Sequence, residues 1–356
     1  MAELKFLEQY LNTPSPTWFE SAGQKVWLDF LKPYVDTTFV DVYGTAVGVI
    51  NPDAPYKVVI EAHADEISWF VNYIDDKWYL SVIRNGGSDH QIAPSMRVNL
   101  HTKNGPVMGV FGWPAIHTRT PAEEPKTDLH NLSIDVGASS KEEVEKMGIH
   151  VGTVATFDAN FMILNDRYYV CRALDNRIGG YMIAQVAKKL ADNNKTLPFW
   201  LYVVNSVQEE VGLYGAQMIT DTIKPNLAIV TDVTHDTSTP LHLNVKKHGD
   251  LKCGLGPVVS YAPSVHNTLR DLTIQVAQDN NIAFQRQASS RWTGTDTDAF
   301  AFSNGGIPST LISLPLKYMH TTVETVHKDD VQATIDLMYH TLLALDITED
   351  YKYITL

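Results

Sequence analysis

An unbroken apolar run, Phe199-Trp200-Leu201-Tyr202-Val203-Val204, opens directly onto Asn205-Ser206-Val207-Gln208-Glu209-Glu210. So short a run bounded by polar residues reads as a buried strand. Two adjacent carboxylates at its end are costly to bury without a cation. Side chains alternate faces along an extended chain. Glu209 and Glu210 therefore need not play the same part. One can bind a metal while the other faces a water as a base.

The same pattern recurs along the chain. Lys57-Val58-Val59-Ile60-Glu61-Ala62 is a central strand ending in His63-Ala64-Asp65-Glu66. His63 and Asp65, two residues apart, project to one side. A histidine with a carboxylate beside it suits metal ligation with the ring held in place. Tyr168 to Leu174 is another strand, and Asp175 stands where it passes into a helix predicted from about Ile178 to Ala191. Leu227-Ala228-Ile229-Val230-Thr231 is predicted to end at Asp232, and Ser309 to Pro315 leads to Tyr318-Met319-His320. Helical periodicity marks Ala2–Leu11, a stretch ending at Leu31, His266–Asp279 and Lys328–Leu345. Such alternation predicts an α/β fold with a mixed sheet sandwiched by helices.

From about Ser68 to Phe161 the texture changes. Strand-like pieces become short, split by Asp75-Asp76, Asn85-Gly86-Gly87 and Asn104-Gly105. This spacing predicts a small inserted β-barrel or PDZ-like module over 68–161. It would interrupt a catalytic domain made of 1–67 and 162–356. Gly254-Leu255-Gly256-Pro257 lacks the GxGxxG spacing and the strand-to-helix context of a nucleotide site.

Net charge is −13 with no Lys/Arg run, which argues against nucleic acid and against an anionic membrane surface as partners. No apolar run approaches the roughly 18 residues of a membrane span. The two cysteines give no disulfide framework. The start is acidic and amphipathic, without a secretory signal's basic and apolar regions. Together these features predict a cytoplasmic protein.

Five strand-end groups stand out: His63, Asp175, Glu210, Asp232 and His320. Glu209 is a sixth. If they end strands of one sheet, they can converge on one edge. Two histidines and three carboxylates are too few for two closed metal cages. If one carboxylate bridges, each metal gains three protein ligands and keeps an open position, as catalytic sites do. Two metals about 3.5–4 Å apart can acidify one water and hold an oxyanion. Glu209 would then move the proton.

At these residues the chain resembles the M42 family of metallo-aminopeptidases, the TET and glutamyl-aminopeptidase group. The resemblance lies in His63-Ala64-Asp65-Glu66, Leu174-Asp175-Asn176-Arg177, Gln208-Glu209-Glu210-Val211-Gly212, Gly294-Thr295-Asp296 and Tyr318-Met319-His320 with Glu324. Gly86-Gly87 and Pro114-Ala115-Ile116-His117 carry it through the insertion. It implies that His63 and Asp232 ligate one metal and Glu210 and His320 the other. Asp175 bridges them, Asp65 orients His63, and Glu209 is the general base beside a metal-bound hydroxide. The metals would be zinc or cobalt, with manganese also compatible with such ligands. The Thr295-Asp296 loop would shape the substrate pocket, with Arg291 and His117 as further candidates there. The resemblance also implies peptide substrates and dimers that build dodecamers, with the insertion as assembly module. Three rivals stand beside this expectation: a metal-dependent deacylase of N-acyl amino acids, a metal-free glycosidase, and a non-catalytic assembly protein. The preferred N-terminal residue is not legible: a basic pocket would favour Glu or Asp, an acidic one Lys or Arg, an apolar one Leu or Met.

Overall fold

The computed structural model describes residues 2–120, 126–240 and 244–354. The chain begins with helices α1 (Ala2–Asn12) and α2 (Ser21–Leu31), then strands β1 (Thr37–Val40), β2 (Ala46–Ile50) and β3 (Lys57–His63). Six strands follow: β4 (Ser68–Ile74), β5 (Leu80–Asn85), β6 (Arg97–Thr102), β7 (Gly105–Phe111), β8 (Ser133–Asp135) and β9 (Val154–Phe157), with helix α3 (Lys141–Lys146) between the last two. Next come β10 (Met162–Leu164), β11 (Tyr168–Cys171), α4 (Leu174–Asp192), β12 (Trp200–Ser206), α5 (Tyr214–Ile223) and β13 (Leu227–His235). The chain closes with α6 (Val245–His248), β14 (Val258–Tyr261), α7 (Asn267–Asp279), β15 (Gln285–Ala288), α8 (Asp296–Ala301), β16 (Ser309–Lys317), β17 (Glu324–His327) and α9 (Lys328–Ala344).

Strands β4 to β9 close into a barrel in the order β4-β5-β8-β7-β6-β9. The other strands form one mixed sheet, β1-β2-β12-β3-β13-β16-β17-β11-β10, with β14 and β15 branching from β16. Its centre, β12-β3-β13-β16, is parallel throughout. Parallel neighbours end on the same edge, so this sheet gathers its strand-end residues in one place. The α/β sandwich and the barrel match the sequence reading.

Alternation along β3 shows why the sheet is covered on both faces. Val58, Ile60 and Ala62 enter a core shared with α1, α2, α4, α7 and α9. Val59 enters a second core with Ala216 and Ile219 of α5 and Phe300 of α8. Each of the valine, isoleucine and phenylalanine side chains among them contributes about 1.5–3 kcal/mol when fully buried. The barrel keeps its own core around Trp69, Phe111 and Phe157.

Three local expectations need correction. β13 does not stop at Asp232 but runs to His235, because its pairing with β16 continues to Leu316. Helix α4 starts at Leu174, yet Asp175 and Asn176 are non-helical and joined by a cis peptide. Where a hairpin was expected between Val233 and Leu251, β13 continues and α6 forms, and residues 241–243 lie outside the described ones. The Gly254–Pro257 turn binds a protein carboxylate: the amides of Gly254 and Gly256 donate to Asp330. Among the described residues, no helix is long and apolar enough to cross a membrane.

Candidate active site

Register builds the site. Ser206 of β12 lies beside His63 of β3, so the turn after β12 carries Glu209 and Glu210 past the end of β3. This turn is tight: Gln208 and Leu213 have left-handed backbones. A Cβ on Gly215 would meet the Val207 carbonyl at 2.1 Å, so only glycine lets α5 start against the turn.

Asp65 ties the two strand ends together. Its oxygens accept from the amides of Glu209 (3.0 Å) and Glu210 (3.2 Å) and from the Thr17 hydroxyl (2.9 Å). His63 Nδ1 stands 3.3 Å from Asp65 Oδ1. The contact falls short of an aligned hydrogen bond, leaving Nδ1 buried without a partner. His63 Nε2 points the other way, 3.3 Å from Asp175 Oδ1, 3.7 Å from Glu209 Oε2 and 3.9 Å from Asp232 Oδ1.

Asp175 faces both histidines. Its second oxygen lies 3.2 Å from His320 Nε2, which is also 3.4 Å from Glu210 Oε1. Glu324 had no role in the sequence reading beyond its place after His320. It accepts from the amide of Asp175 (3.0 Å) and from that of His320 (2.7 Å). One buried carboxylate thus fixes the backbones of two site residues. His320 needs this hold, because its φ is +61°, a conformation costly for residues other than glycine.

Electrostatics show what the cluster lacks. Burial first, then the charges of neighbouring carboxylates, push Glu209 and Asp232 well above the usual carboxylate range and Glu210 above it. Burial opposes protonation of His320, but Asp175 and Glu210 outweigh it and raise the imidazole to about 11. The group is short of positive charge, the situation a bound cation relieves. The donors fit that role. Three overlapping sets place their ligand atoms within 4.8 Å of one another: His63–Asp175–Asp232, Asp175–Glu210–His320 and His63–Glu209–Glu210.

The cluster floors a cavity of about 570 Å³. Thr295 lines it, as do Glu209 and Asp175. Asp296 does not. It is buried below, where the Ser206 hydroxyl lies 2.7 Å from its Oδ2 and also contacts Glu61. One hydroxyl proton cannot serve both carboxyls, so one of them keeps a proton. Burial first, then the charge of the other carboxyl, pushes Glu61 well above its usual range, and burial raises Asp296 as well. Arg291 is exposed and absent from the cavity wall. His117 is exposed on a short turn of the insertion, and likewise outside the wall.

The insertion reaches the site through Gly86 and Gly87. A Cβ on Gly87 would meet His320 Nδ1 at 2.4 Å. Gly87→Ala is expected to displace the imidazole and lower kcat by about 10²-fold, since misplacements near 1 Å have that cost. Steady-state kinetics beside an unchanged melting curve would check it. Wild-type kcat would show that the loop gives way.

Glu20, before α2, is a second residue the sequence did not flag. It is 4% exposed and accepts from the Trp18 amide at 2.9 Å. Burial first, then the charge of Asp65, raises its carboxyl from the ordinary 4.5 to about 8. Because the folded value is the higher one, its contribution to stability is complete below about pH 4.5 and is lost as pH climbs through about 8. Glu20→Gln keeps an acceptor and cannot titrate. Its melting temperature should therefore rise relative to wild type between pH 5 and 8.5, by about 5 °C. A pH-independent difference in thermal melts would contradict this.

Comparison with known proteins agrees with this geometry. The family model of the M42 glutamyl aminopeptidases matches residues 44–337. The chain belongs to the M42 peptidase family. Members are metallopeptidases, so the protein is a hydrolase of peptide bonds. It is 32% identical to the lysyl aminopeptidase of Pyrococcus furiosus over 95% of this chain and 96% of that one. The TET aminopeptidase of a marine-sediment Thaumarchaeota archaeon superposes with a TM-score of 0.92 at 26% identity, covering 98% of this chain and 97% of the other. The TET1 peptidase of Pyrococcus horikoshii, which can assemble into a tetrahedron or a large octahedral shell, gives 0.84 at 27% identity over 97% and 100%.

Proposed function

We propose that this M42 peptidase is a binuclear aminopeptidase that removes N-terminal residues from short peptides. The observation that carries the proposal is Asp175, whose two oxygens lie 3.3 Å and 3.2 Å from the two site histidines. One cation would be held by His63, Asp175 and Asp232, the other by Asp175, Glu210 and His320. Zinc and cobalt suit these donors best, and manganese is compatible. When bound, such a pair polarises the scissile carbonyl and lowers the pKa of a water.

The chain's own groups do the rest. Glu209 lines the cavity beside the ligands and takes the proton of the attacking water at a carboxylate oxygen. It returns that proton to the leaving amine. Asp65 holds the amides of Glu209 and Glu210 and keeps that turn in register with His63. The carboxylate-rich floor suits a cationic α-amino group at the end of a peptide.

The division at 67/68 and 161/162 is part of the proposal. The barrel carries exposed Ile83, Met108 and Val110, apolar surface that suits a contact with other copies. Together with the shells formed by the Pyrococcus horikoshii relative, this supports a homo-oligomer of dimers. Aminoacyl anilides compared with N-acetyl amino acids test the substrate class. Cleavage of the first and not the second is expected, and the reverse would make the protein a deacylase.

A further inference from the structure

One wall of the cavity is a polar stripe running away from the metal group. Asp232 of β13 is register partner to Ser313 of β16. Ser313 pairs with Val258 of β14, which puts Ser260, two residues on, on the same face. Ser260 is in turn partner to Gln287 of β15. Ser313, Ser260 and Gln287 all line the cavity. Ser260 is 4% exposed and Ser313 2%, yet neither hydroxyl has a hydrogen-bond partner among the described residues. Gln287 is already oriented, its Oε1 accepting from Thr234 at 3.0 Å.

The stripe lacks compensating charge. Among the described residues no Lys or Arg lines the cavity. Arg286 lies over Phe284, Arg270 over Tyr261 and Lys317 over Tyr168, and Arg291, between the wall residues Ser289 and Trp292, is exposed and outside the wall. The carboxylate in the wall outside the metal group is Asp298. Both its oxygens turn back onto the amides of Thr293 and Gly294. A buried acidic side chain would find no Lys or Arg in the wall, whose histidines are His320 of the metal group and His235, which burial disfavours in its charged form, and a lysine would compete with two backbone amides for Asp298. Hydroxyls that face the cavity and are not tied to the protein are matched instead by a neutral group that donates and accepts.

We infer that Ser313, Ser260 and Gln287 read the side chain of the substrate's N-terminal residue and select uncharged hydrogen-bonding side chains, glutamine and asparagine first. The inference rests on the aminopeptidase reading above. Its test is kcat/KM on Gln-, Asn-, Leu-, Lys- and Glu-p-nitroanilides, for the metal-loaded full chain and for the double variant Ser260→Ala/Ser313→Ala. Wild type should favour Gln over Glu by about 100-fold and over Lys by about tenfold. In the variant, melting like wild type, the Gln-to-Leu ratio should fall about tenfold. A wild-type preference for Lys or Glu overturns the inference and leaves the aminopeptidase reading intact. So does an unchanged Gln-to-Leu ratio in the folded variant. Failure to cleave any aminoacyl anilide overturns the aminopeptidase reading itself, and the inference with it.

Discussion

Glu209→Gln should retain two metal equivalents per chain and lose about 10³-fold in kcat, within the range that a single general base supplies. The substitution keeps the shape and removes only the ability to take a proton. Glu209 Oε2 lies 3.7 Å from His63 Nε2 and belongs to one of the three ligand sets, so a ligand role is the competing assignment. Metal analysis beside kinetics separates the two. Loss of a metal equivalent together with activity would make Glu209 a ligand. Unchanged kcat would deny it any chemical role.

Asp175→Ala is the second large effect. Asp175 belongs to both ligand sets that contain Asp232 or His320, so its loss weakens both at once. Metal content should fall to one equivalent or less, with activity below about a thousandth of wild type. Replacing Asp232 alone touches one of those sets and should spare the other. Equal metal loss in the two variants would argue against a shared carboxylate. Glu324, which accepts the amide of Asp175, should remain folded around either variant and serves as the internal control for local structure.

The fold was legible because its signal is periodic. Val58, Ile60 and Ala62 alternate with Val59 between two cores, and so short a β-branched, apolar run bounded by turn residues is the pattern of a strand covered on both faces. The candidate ligands were legible for a related reason: parallel strands share an edge, so residues ending them meet. What was not legible depends on contacts between distant segments. The local pattern ends the strand at Asp232, because nothing local to Val233–His235 reports the pairing with β16 that extends it. The family resemblance implies a pocket role for Asp296 together with Thr295. Its side chain instead turns inward to Ser206 and Glu61, from 90 residues or more away in sequence. Glu324 fixes two backbones rather than touching a ligand atom, and a lone glutamate after a histidine carries no such signal. Gly87 is a similar case: only the packed structure shows that the missing side chain makes room for His320.

The most direct test is metal content and aminoacyl-p-nitroanilide hydrolysis on the same preparation, before and after chelation and after metal is restored. Two metal equivalents per chain, hydrolysis lost with chelator and regained with zinc or cobalt, are expected. Full hydrolysis in a metal-free chain, or two bound metals with no cleavage of any aminoacyl substrate, would contradict a binuclear aminopeptidase.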